Sequence, residues 1–388
     1  MYPTKKLWEV CEIIRGVTYK PEQVKSKNEG LACFRTKNIQ EYLDESDIVY
    51  IDKTIVKNPE KFLQSWDILV SSANSLELLW KCCLIENLNY EATLGWFITC
   101  MRANPDHIFY KYFYFFYNSQ SIQTIVRSFS KKTTGIANLQ LKEVENLSVP
   151  LPPLSTQKLI VDKLDMIFVE IEKSKNLLEK NLQNMDEMNK SVLEKIFAND
   201  KWEKKKLWEV CEILDNKRIP ISSKEREKRT ANKGILYPYY WATQQNWFID
   251  DYIFDEELVL LWEDGVDFLN PKKTKAYLIS GKTWVNNHAH VLKWLDGILN
   301  NTFLLHFLNI FDYFWIVSGT TRLKLNQSAM KNIPIPLPPL ETQKNIVSYL
   351  DNIFAENQKL KNLYQAQIKN LDEMKQSFLK KAFAGELV

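Results

Sequence analysis

The chain has 388 residues and a formal net charge of +3, with 45% hydrophobic and 26% charged residues. These values are typical of an ordinary globular protein of two to three domains, and they exclude a membrane protein, because no apolar run approaches the roughly 20 residues that span a bilayer. Six cysteines without a Cys-x-x-Cys pair, and an N-terminus without the apolar core of a signal peptide, predict a reduced cytoplasmic protein.

The chain carries two copies of one plan. Three motifs of the first half return in the same order in the second half, and the first of them returns unchanged over nine residues. Their separation is the size of a domain, whereas solenoids repeat roughly every 20–50 residues. We therefore expect a duplicated protein that acts on a target with two parts. The motif pairs are KKLWEVCEI at 5–13 and 205–213, LPPLSTQK at 151–158 with LPPLETQK at 337–344, and MDEM at 185–188 with LDEM at 371–374.

The first copy begins with a segment, 1–150, that predicts a compact α/β or β-rich domain. The run 67–71 (DILVS) is typical of a buried strand. The aromatic run 109–117 is interrupted by Lys111 and indicates a buried amphipathic helix. Prolines at 150, 152 and 153 end the segment, because neither a helix nor a central strand tolerates such a run.

The segment 151–198 is predicted to be a helical spacer, with one long helix from Gln157 to Phe197 after the prolines. Ser155 or Thr156 can cap its start. Apolar residues recur at steps of three, four or seven, with Ser174 as a polar interruption, and this narrow seam is typical of a coiled coil. The seam residues are Ile160, Leu164, Ile167, Ile171, Leu178, Leu182, Met185, Val192 and Ile196.

The second copy repeats this order. Residues 199–336 predict another compact domain, with a strand at 258–261 (LVLL). Residues 337–388 predict a second long helix, which Thr342 can cap and Asn357 interrupts. Neither helix can bury its seam alone, so we expect the two to pair within the chain. The second seam consists of Ile346, Leu350, Ile353, Leu360, Leu371, Met374 and Phe378.

Several of these segments carry a resemblance to a known family. The run 335–343 (IPLPPLETQ) with its first copy, the Leu-x-Glu-Val opening of each half, and 318–323 (SGTTRL) resemble the specificity (S) subunit of type I restriction–modification enzymes. The runs 70–75 (VSSANS) and 286–291 (NNHAHV) are similar to segments of that family's recognition domains. The resemblance covers essentially the whole chain.

The resemblance implies a fold, a function and partners. The fold class would be α+β: two tandem α/β target-recognition domains, 1–150 and 199–336, each reading one half of a split, asymmetric sequence in double-stranded DNA. The helices at 151–198 and 337–388 would be conserved spacers that form an antiparallel coiled coil with pseudo-twofold symmetry. The coiled coil would bind two methyltransferase (M) subunits, and a restriction/translocase (R) subunit can join the assembly. The S subunit performs no chemistry, so no enzyme activity, metal or other cofactor is expected.

The residues expected to touch DNA lie in loops near these motifs. Lys and Arg neutralise phosphates, whereas Arg, Lys, Asn, Gln, Ser and Thr read base edges. In 1–150 they are Arg15, Lys20, Arg35, Ser71, Asn74, Lys131, Lys132 and Thr133. In 199–336 they are Lys217, Arg218, Thr243, Gln244, Asn286, His288, Thr320 and Arg322, of which Arg322 is the strongest.

Two other classes of protein remain open. A scaffold or adaptor without a nucleic-acid role would also use paired rods and duplicated domains, and an S-like subunit of a fused restriction–modification enzyme would differ only in its partners. The sequence has neither a Walker-type phosphate loop nor the Asn-Pro-Pro-Tyr tetrapeptide of amino-methyltransferases. His288 and His290 would share one side of a strand, as metal ligands can, but no Cys or carboxylate stands at a ligand-like spacing. The adjacent Cys82 and Cys83 are more typical of two half-buried thiols than of a redox-active pair.

Tryptophan is frequent in this chain and glycine is scarce. There are 12 Trp and 10 Gly, where average usage of about 7% would give more than twice as many glycines. We hypothesise that the gene uses UGA codons for glycine and that these codons were translated as tryptophan in this sequence. The alternative is a chain that is naturally rich in Trp. Trp202 and Trp284 match the resembled family. The tryptophans that stand where this family usually has glycine are Trp8, Trp66, Trp80, Trp96, Trp208, Trp241, Trp247 and Trp262.

Overall fold

The computed structural model describes residues 2–75, 78–132, 137–230, 234–241, 245–320 and 322–388. The chain divides into two compact units. Unit 1 consists of Met1–Leu178 and Ala366–Val388, and unit 2 consists of Glu179–Gln365. Each of the two long helices therefore contributes one part to each unit. Among the described residues, no helix combines the length and the apolar composition needed to cross a membrane.

Unit 1 is built on small sheets and short helices. A four-stranded antiparallel sheet has the order β2-β9-β5-β7, and a three-stranded sheet has the order β4-β3-β8 with β3 and β8 parallel. The strands are β1 (Thr4–Lys6), β2 (Cys11–Arg15), β3 (Leu31–Phe34), β4 (Val49–Ile51), β5 (Ile68–Ser71), β6 (Ala73–Asn74), β7 (Cys82–Leu84), β8 (Ala92–Leu94), β9 (Ile98–Ala103), β10 (Ser130–Lys132), β11 (Ala137–Leu139) and β12 (Ser148–Pro150). The helices are α1 (Tyr110–Tyr117), α2 (Gln120–Ser128), α3 (Leu141–Glu145) and the start of α4 (Leu154–Phe197).

Unit 2 has the same plan. Its four-stranded antiparallel sheet has the order β14-β21-β18-β19, and a second sheet pairs β15 with β20 in parallel. The strands are β13 (Lys204–Lys206), β14 (Cys211–Ile213), β15 (Tyr237–Tyr240), β16 (Gln245–Ile249), β17 (Phe254–Asp255), β18 (Leu258–Trp262), β19 (Ala276–Ile279), β20 (Lys282–Val285), β21 (Ala289–Trp294), β22 (Val317–Ser318), β23 (Lys324–Leu325) and β24 (Pro334–Pro336). The helices are α5 (Leu207–Val210), α6 (Ser223–Thr230), α7 (Asn301–Ile310), α8 (Gln327–Lys331), the end of α4 and the start of α9 (Leu340–Ala384).

The predicted elements are confirmed where the hydrophobic pattern was strong. The strand runs 67–71 and 258–261 form β5 and β18, whose residues are all buried. The aromatic run forms α1, which buries Tyr112, Phe113 and Phe116 in the core of unit 1. The mixed helix-and-sheet class and the duplication are likewise confirmed, whereas the pseudo-twofold relation between the copies stays a prediction.

A buried glutamine locks each Pro-rich motif to its domain. The Gln157 side chain accepts a hydrogen bond from the Phe109 N–H (2.8 Å) and donates to the carbonyls of His107 (3.1 Å) and Pro152 (2.9 Å). Both this residue and its counterpart are fully buried. The counterpart, Gln343, makes the same three bonds, to the Asn300 N–H and to the carbonyls of Ile298 and Pro338.

The helix caps predicted at Ser155, Thr156 and Thr342 are wrong. The helices begin at Leu154 and Leu340, so these polar residues lie inside the first turn. The chain enters each helix directly from the Pro-rich run, because the fixed φ of proline already suits a helix start.

The two long helices run antiparallel within each unit. In both units, contacts pair rising residue numbers on α4 with falling numbers on α9 and on the short tail that follows it. The pairs are Lys163 with the Leu387 carbonyl and Lys175 with Asp372 in unit 1, and Asp186 with Lys361 and Asn189 with Asn357 in unit 2.

The seam prediction is wrong at two positions of α9. Leu360 and Met374 are 42% and 40% exposed. The seam passes instead through the neighbouring Lys361 and Lys375, which are half-buried. Lysine can cover apolar surface with its stem while its charged head finds a partner, and a pattern of apolar letters overlooks it. Ser174, expected to interrupt the stripe, is exposed and donates to the Glu170 carbonyl (2.9 Å).

Two tryptophans have a backbone conformation that favours glycine. Trp66 has φ 75° and Trp80 has φ 79°, and no other non-glycine residue in the described ranges has a positive φ. Bulky L-residues rarely adopt this region. The φ values therefore support the glycine hypothesis at positions 66 and 80. At Trp8, Trp96, Trp208, Trp241, Trp247, which are all exposed, and at Trp262, which is buried, it stays a prediction.

Candidate nucleic-acid interface

Several residues expected to touch DNA meet at one end of the four-stranded sheet of unit 1. We call this end, where Arg15 and Ser71 lie near the hairpin of β10 and β11, the hairpin end. Here β5 ends with Ser71 opposite Ile98, the first residue of β9, and Arg15 at the end of β2 lies opposite Thr99. Ser71 is buried, and its Oγ accepts a hydrogen bond from Asn74 Nδ2 (3.4 Å). The strand register thus brings together residues that are far apart in the chain.

The hairpin of β10 and β11 adds cations to the same end. Lys132 pairs with Ala137, and Ala137 pairs on its other side with Asn74 of β6. Lys131 lies opposite Asn138, and its side chain is exposed. Thr133 and the side chain of Lys132 lie outside the described residues. The hairpin therefore places its lysine positions on the strand next but one to Asn74, with β11 between them.

Arg35 lies in a cavity of about 420 Å³ that is lined by Tyr19, Trp96 and Phe97. The Phe97 carbonyl accepts from the Ser72 N–H (3.0 Å), which attaches the turn between β8 and β9 to the hairpin end. The Arg35 guanidinium lies 3.3 Å from the carboxylate of Asp47. Lys20 follows Tyr19 in the chain and is exposed.

Unit 2 builds its hairpin end from the equivalent strands. Trp262, the last residue of β18, lies opposite Ala289, the first residue of β21. The Glu263 N–H donates to the His288 carbonyl (3.0 Å), and the Glu263 carbonyl accepts from the Leu325 N–H (2.8 Å). These bonds join the loop before β21 and the β22–β23 hairpin to one surface. The predicted residues that meet here are His288, Thr320 and Arg322.

A buried polar network supports this surface from below. Arg218 Nη1 donates to Glu263 Oε2 (2.8 Å) and to the Ala289 carbonyl (2.7 Å), and its side chain is only 13% exposed. Asp215 contacts His290 Nδ1 (2.6 Å). Burial alone would raise the pKa of Asp215, but the hydrogen bond and charge of His290, a backbone N–H and Arg218 hold this pKa below its ordinary value. Arg218 thus fixes the loop, and direct contact with DNA stays a prediction.

One carboxylate contacts both the exposed Arg322 and the half-buried His288. Arg322 Nη2 donates to Asp264 Oδ1 (2.7 Å), and His288 Nδ1 lies 2.9 Å from the same oxygen. The Arg322 side chain is 61% exposed, whereas that of Asp264 is 15% exposed. The Trp241 ring lies 5.5 Å from the His288 ring. Thr320, in the same hairpin as Arg322, is exposed.

The remaining predicted residues of unit 2 are less close to the ion pair of Arg322 and Asp264. Lys217 is exposed, and Asn286 is buried with its Oδ1 accepting from the Asn287 N–H (2.7 Å). Thr243 and Gln244 lie outside the described residues. Sequence reasoning missed Glu263 and Asp264. Their signal was an acidic pair placed directly after a buried strand and before Gly265.

The described part of the chain offers binding groups, not a metal centre. It contains no group of three or more His, Cys, Asp or Glu side chains arranged to hold a metal ion. His288 and His290 contact different carboxylates, those of Asp264 and Asp215. All six cysteines are free and buried. Burial raises the pKa of the thiols to about 12 at Cys33, Cys83 and Cys211, so they remain protonated near neutral pH.

The chain matches one family model twice, the type I restriction modification DNA specificity domain, at residues 2–180 and 199–370. S.HindORF215P of Haemophilus influenzae, named as a type I restriction enzyme specificity subunit, is 32% identical over 204 residues, which cover 48% of this chain and 51% of the relative. The EcoKI specificity subunit of Escherichia coli is 24% identical and covers 97% of this chain and 87% of its own length. The StySPI specificity subunit of Salmonella potsdam is 22% identical and covers 100% and 89%.

Two solved structures share the fold. A chain from a study of complex assembly and conformational transition in the type I R-M system superposes with a TM-score of 0.74 at 19% identity, covering 100% of this chain and 98% of that one. The HsdS subunit from Thermoanaerobacter tengcongensis superposes with a TM-score of 0.57 at 18% identity, covering 100% and 97%. At these identities the similarity concerns the fold.

Proposed function

This chain belongs to the family of the type I restriction modification DNA specificity domain, and we propose that it is the DNA-reading specificity subunit of a type I restriction–modification complex. It binds double-stranded DNA at a bipartite, asymmetric sequence. It performs no chemistry itself and works in the cytoplasm, where two methyltransferase subunits and, in restriction, the restriction/translocase subunit act on the DNA that it selects.

The observation that carries this proposal is the duplicated hairpin end. Each unit places a hairpin, the end of a central strand and the loop before the next strand on one surface. In unit 1 this surface carries Lys131 and Arg35, and in unit 2 it carries Arg322 and His288. Cations and hydrogen-bond donors on a rigid sheet end are suited to phosphates and base edges. Two such surfaces in one chain fit a target with two different halves.

The proposed roles of the four segments follow the boundaries predicted from the sequence. Residues 1–150 and 199–336 are the two recognition domains, and 151–198 and 337–388 are the helical spacers that hold the domains and the methyltransferase subunits. With a net charge of only +3, the chain as a whole attracts DNA only weakly at long range. We therefore expect weak binding by the isolated chain and sharper specificity in the presence of methyltransferase subunits.

The decisive experiment is methylation mapping. The chain is co-expressed with a type I methyltransferase subunit from the same genome, and modified bases are located across a plasmid and the host genome. The expected result is methylation at one bipartite motif. A complex that forms but modifies no bipartite motif contradicts the proposal, and this is also the result expected of a scaffold without a role in DNA binding.

A domain exchange tests whether each unit reads its own half. Replacing 199–336 with the segment of a relative is expected to change one half of the motif and to leave the other half intact. The matched exchange of 1–150 is expected to change the opposite half. If either exchange alters both halves together, the two domains do not read DNA independently. An S-like subunit of a fused enzyme gives the same motif behaviour and differs only in its partner gene.

A further inference from the structure

Asp264 occupies a central place in the hairpin end of unit 2, and no motif pointed to it. Its Oδ1 accepts a hydrogen bond from Arg322 and contacts the His288 ring nitrogen. The carboxylate is mostly covered, whereas the guanidinium that it holds is mostly exposed. An arginine on a surface hairpin ordinarily samples many rotamers, and an ion pair with a covered carboxylate restricts them.

The backbone around Asp264 fixes this ion pair in place. Asp264 forms a β-bridge with Lys324, so its position is set relative to the strand that follows Arg322. Gly319, at the start of the hairpin loop, has φ 113°, and a Cβ atom there would lie 2.3 Å from the Arg322 carbonyl oxygen. The loop therefore closes tightly over residue 319. The Glu263 carboxylate in turn pairs with Lys324 Nζ (2.9 Å).

Charge decides what an arginine held in this way can recognise. A carboxylate beside the guanidinium repels the phosphate backbone, so it weakens any contact between Arg322 and a phosphate. It repels the neutral acceptors of a base edge much less, because they carry only partial charges. Guanine offers two such acceptors, N7 and O6, in the major groove, and they match two donors of one guanidinium. With one N–H committed to Asp264, the planar group keeps further donors for such a pair.

We propose that Asp264 is a positioning residue that aims Arg322 at a guanine in the half-site read by unit 2. His288, held by the same oxygen, contacts a neighbouring base or sugar. This inference rests on the proposed function, because it requires that unit 2 reads DNA. It adds the base that is read, the residue that reads it, and the residue that holds the reader.

The test compares base preference at each motif position for three variants of the full complex. Arg322→Ala is expected to lose discrimination at one G·C pair by roughly 5- to 150-fold, the range for a bidentate arginine–guanine contact. Asp264→Asn is expected to relax the same position, by a smaller factor. The other half-site stays unchanged in both. Asp250→Asn is the matched control, because it removes one carboxylate from the same unit but from a pair with Arg229, and it is expected to keep the parental motif.

Two outcomes overturn the inference. If Arg322→Ala weakens binding equally at all sequences and lowers the salt slope by about one, Arg322 contacts a phosphate. If Asp264→Asn lowers activity or thermal stability without changing base preference, Asp264 has only a structural role. Failure of the proposed function is a separate result, because then the parental complex itself yields no bipartite motif.

Discussion

Positions 66 and 80 permit a direct test of whether glycine, not tryptophan, belongs in this fold. The test replaces each tryptophan by glycine and, in parallel, by alanine. Both replacements remove the same ring contacts: Trp66 stacks on Tyr110 at 4.2 Å, and the Trp80 ring lies 4.1 Å from the Arg127 guanidinium. The difference between the two replacements therefore isolates the backbone.

The magnitude follows from the observed φ values of 75° and 79°. The left-handed region costs an L-residue with a Cβ about 1–2 kcal/mol, and glycine avoids this cost. Glycine loses about 0.4–1 kcal/mol relative to alanine through the entropy of the unfolded chain. We therefore expect the glycine variant to be more stable than the alanine variant by about 1 kcal/mol at both positions.

Thermal unfolding of the purified full chain measures this difference. For a unit of roughly 200 residues, a change of about 1 kcal/mol shifts the Tm by about 2–4 °C. Trp208 is the control. It is exposed and lies in the one-turn helix α5, where glycine has no conformational advantage and alanine should be at least as stable. If alanine equals or exceeds glycine at positions 66 and 80, the backbone argument is refuted.

The gene gives an independent answer. The hypothesis expects UGA codons at positions 66 and 80, and glycine at these positions in peptides from the native host. UGG codons there would contradict it, whatever the variants show. If it also holds at Trp96 and Trp241, the hairpin ends carry glycine at these positions, and base stacking on these rings plays no part in recognition.

Three further predictions concern stability and the spacing of the target. Gln157→Leu and Gln343→Leu should each lower the free energy of unfolding by about 3 kcal/mol, because buried backbone groups lose their partners. A loss below about 1 kcal/mol in chemical denaturation would show that these glutamines do not hold the Pro-rich motifs to their domains. The folded pKa of Asp215 is lowered from 3.8, so its carboxylate stabilises the fold above that pH, and the contribution disappears as pH falls through the folded pKa. The free energy of unfolding of Asp215→Asn should therefore depend less steeply on acid pH than that of the parent. One heptad added to both long helices lengthens each by about 10.5 Å. Because B-DNA advances about 3.4 Å per base pair, the unread spacer in methylation maps should lengthen by at most about three base pairs. An unchanged spacer in an active variant would show that the helices do not set the spacer length.

The sequence predicted the elements whose signals are local. The repeats located two copies, and the apolar runs located β5, β18, α1 and both long helices, because burial and period act within a short stretch of chain. The caps failed because proline, which offers no side-chain cap, precedes each helix. The seam failed at Leu360 and Met374 because the lysine beside each of them is amphipathic.

The candidate site was only partly predictable, because its geometry depends on long-range strand pairing. Arg322 and His288 were found from motifs, but the oxygen that joins them belongs to Asp264, which no short pattern connects to either. Arg218 looked like an exposed cation in sequence, yet Asp215 and Glu263 bind it in a buried network. A single chain does not reveal such partners before the register of β18, β21 and the hairpin is known.

The helical seams show that the two copies are no longer interchangeable. Asn189 and Asn357 bond to each other in unit 2. The residues at the same distance from the starts of the opposite helices are Lys375 and Ile171. If α4 paired with a second α4, Asn189 would face Ile171, and a half-buried amide would lose its partner at a cost of about 1–3 kcal/mol. A polar pair in a seam fixes register and partner in this way. The divergence therefore favours pairing of α4 with α9 of the same chain, which would keep the two proposed recognition domains together, as the proposed asymmetric target requires.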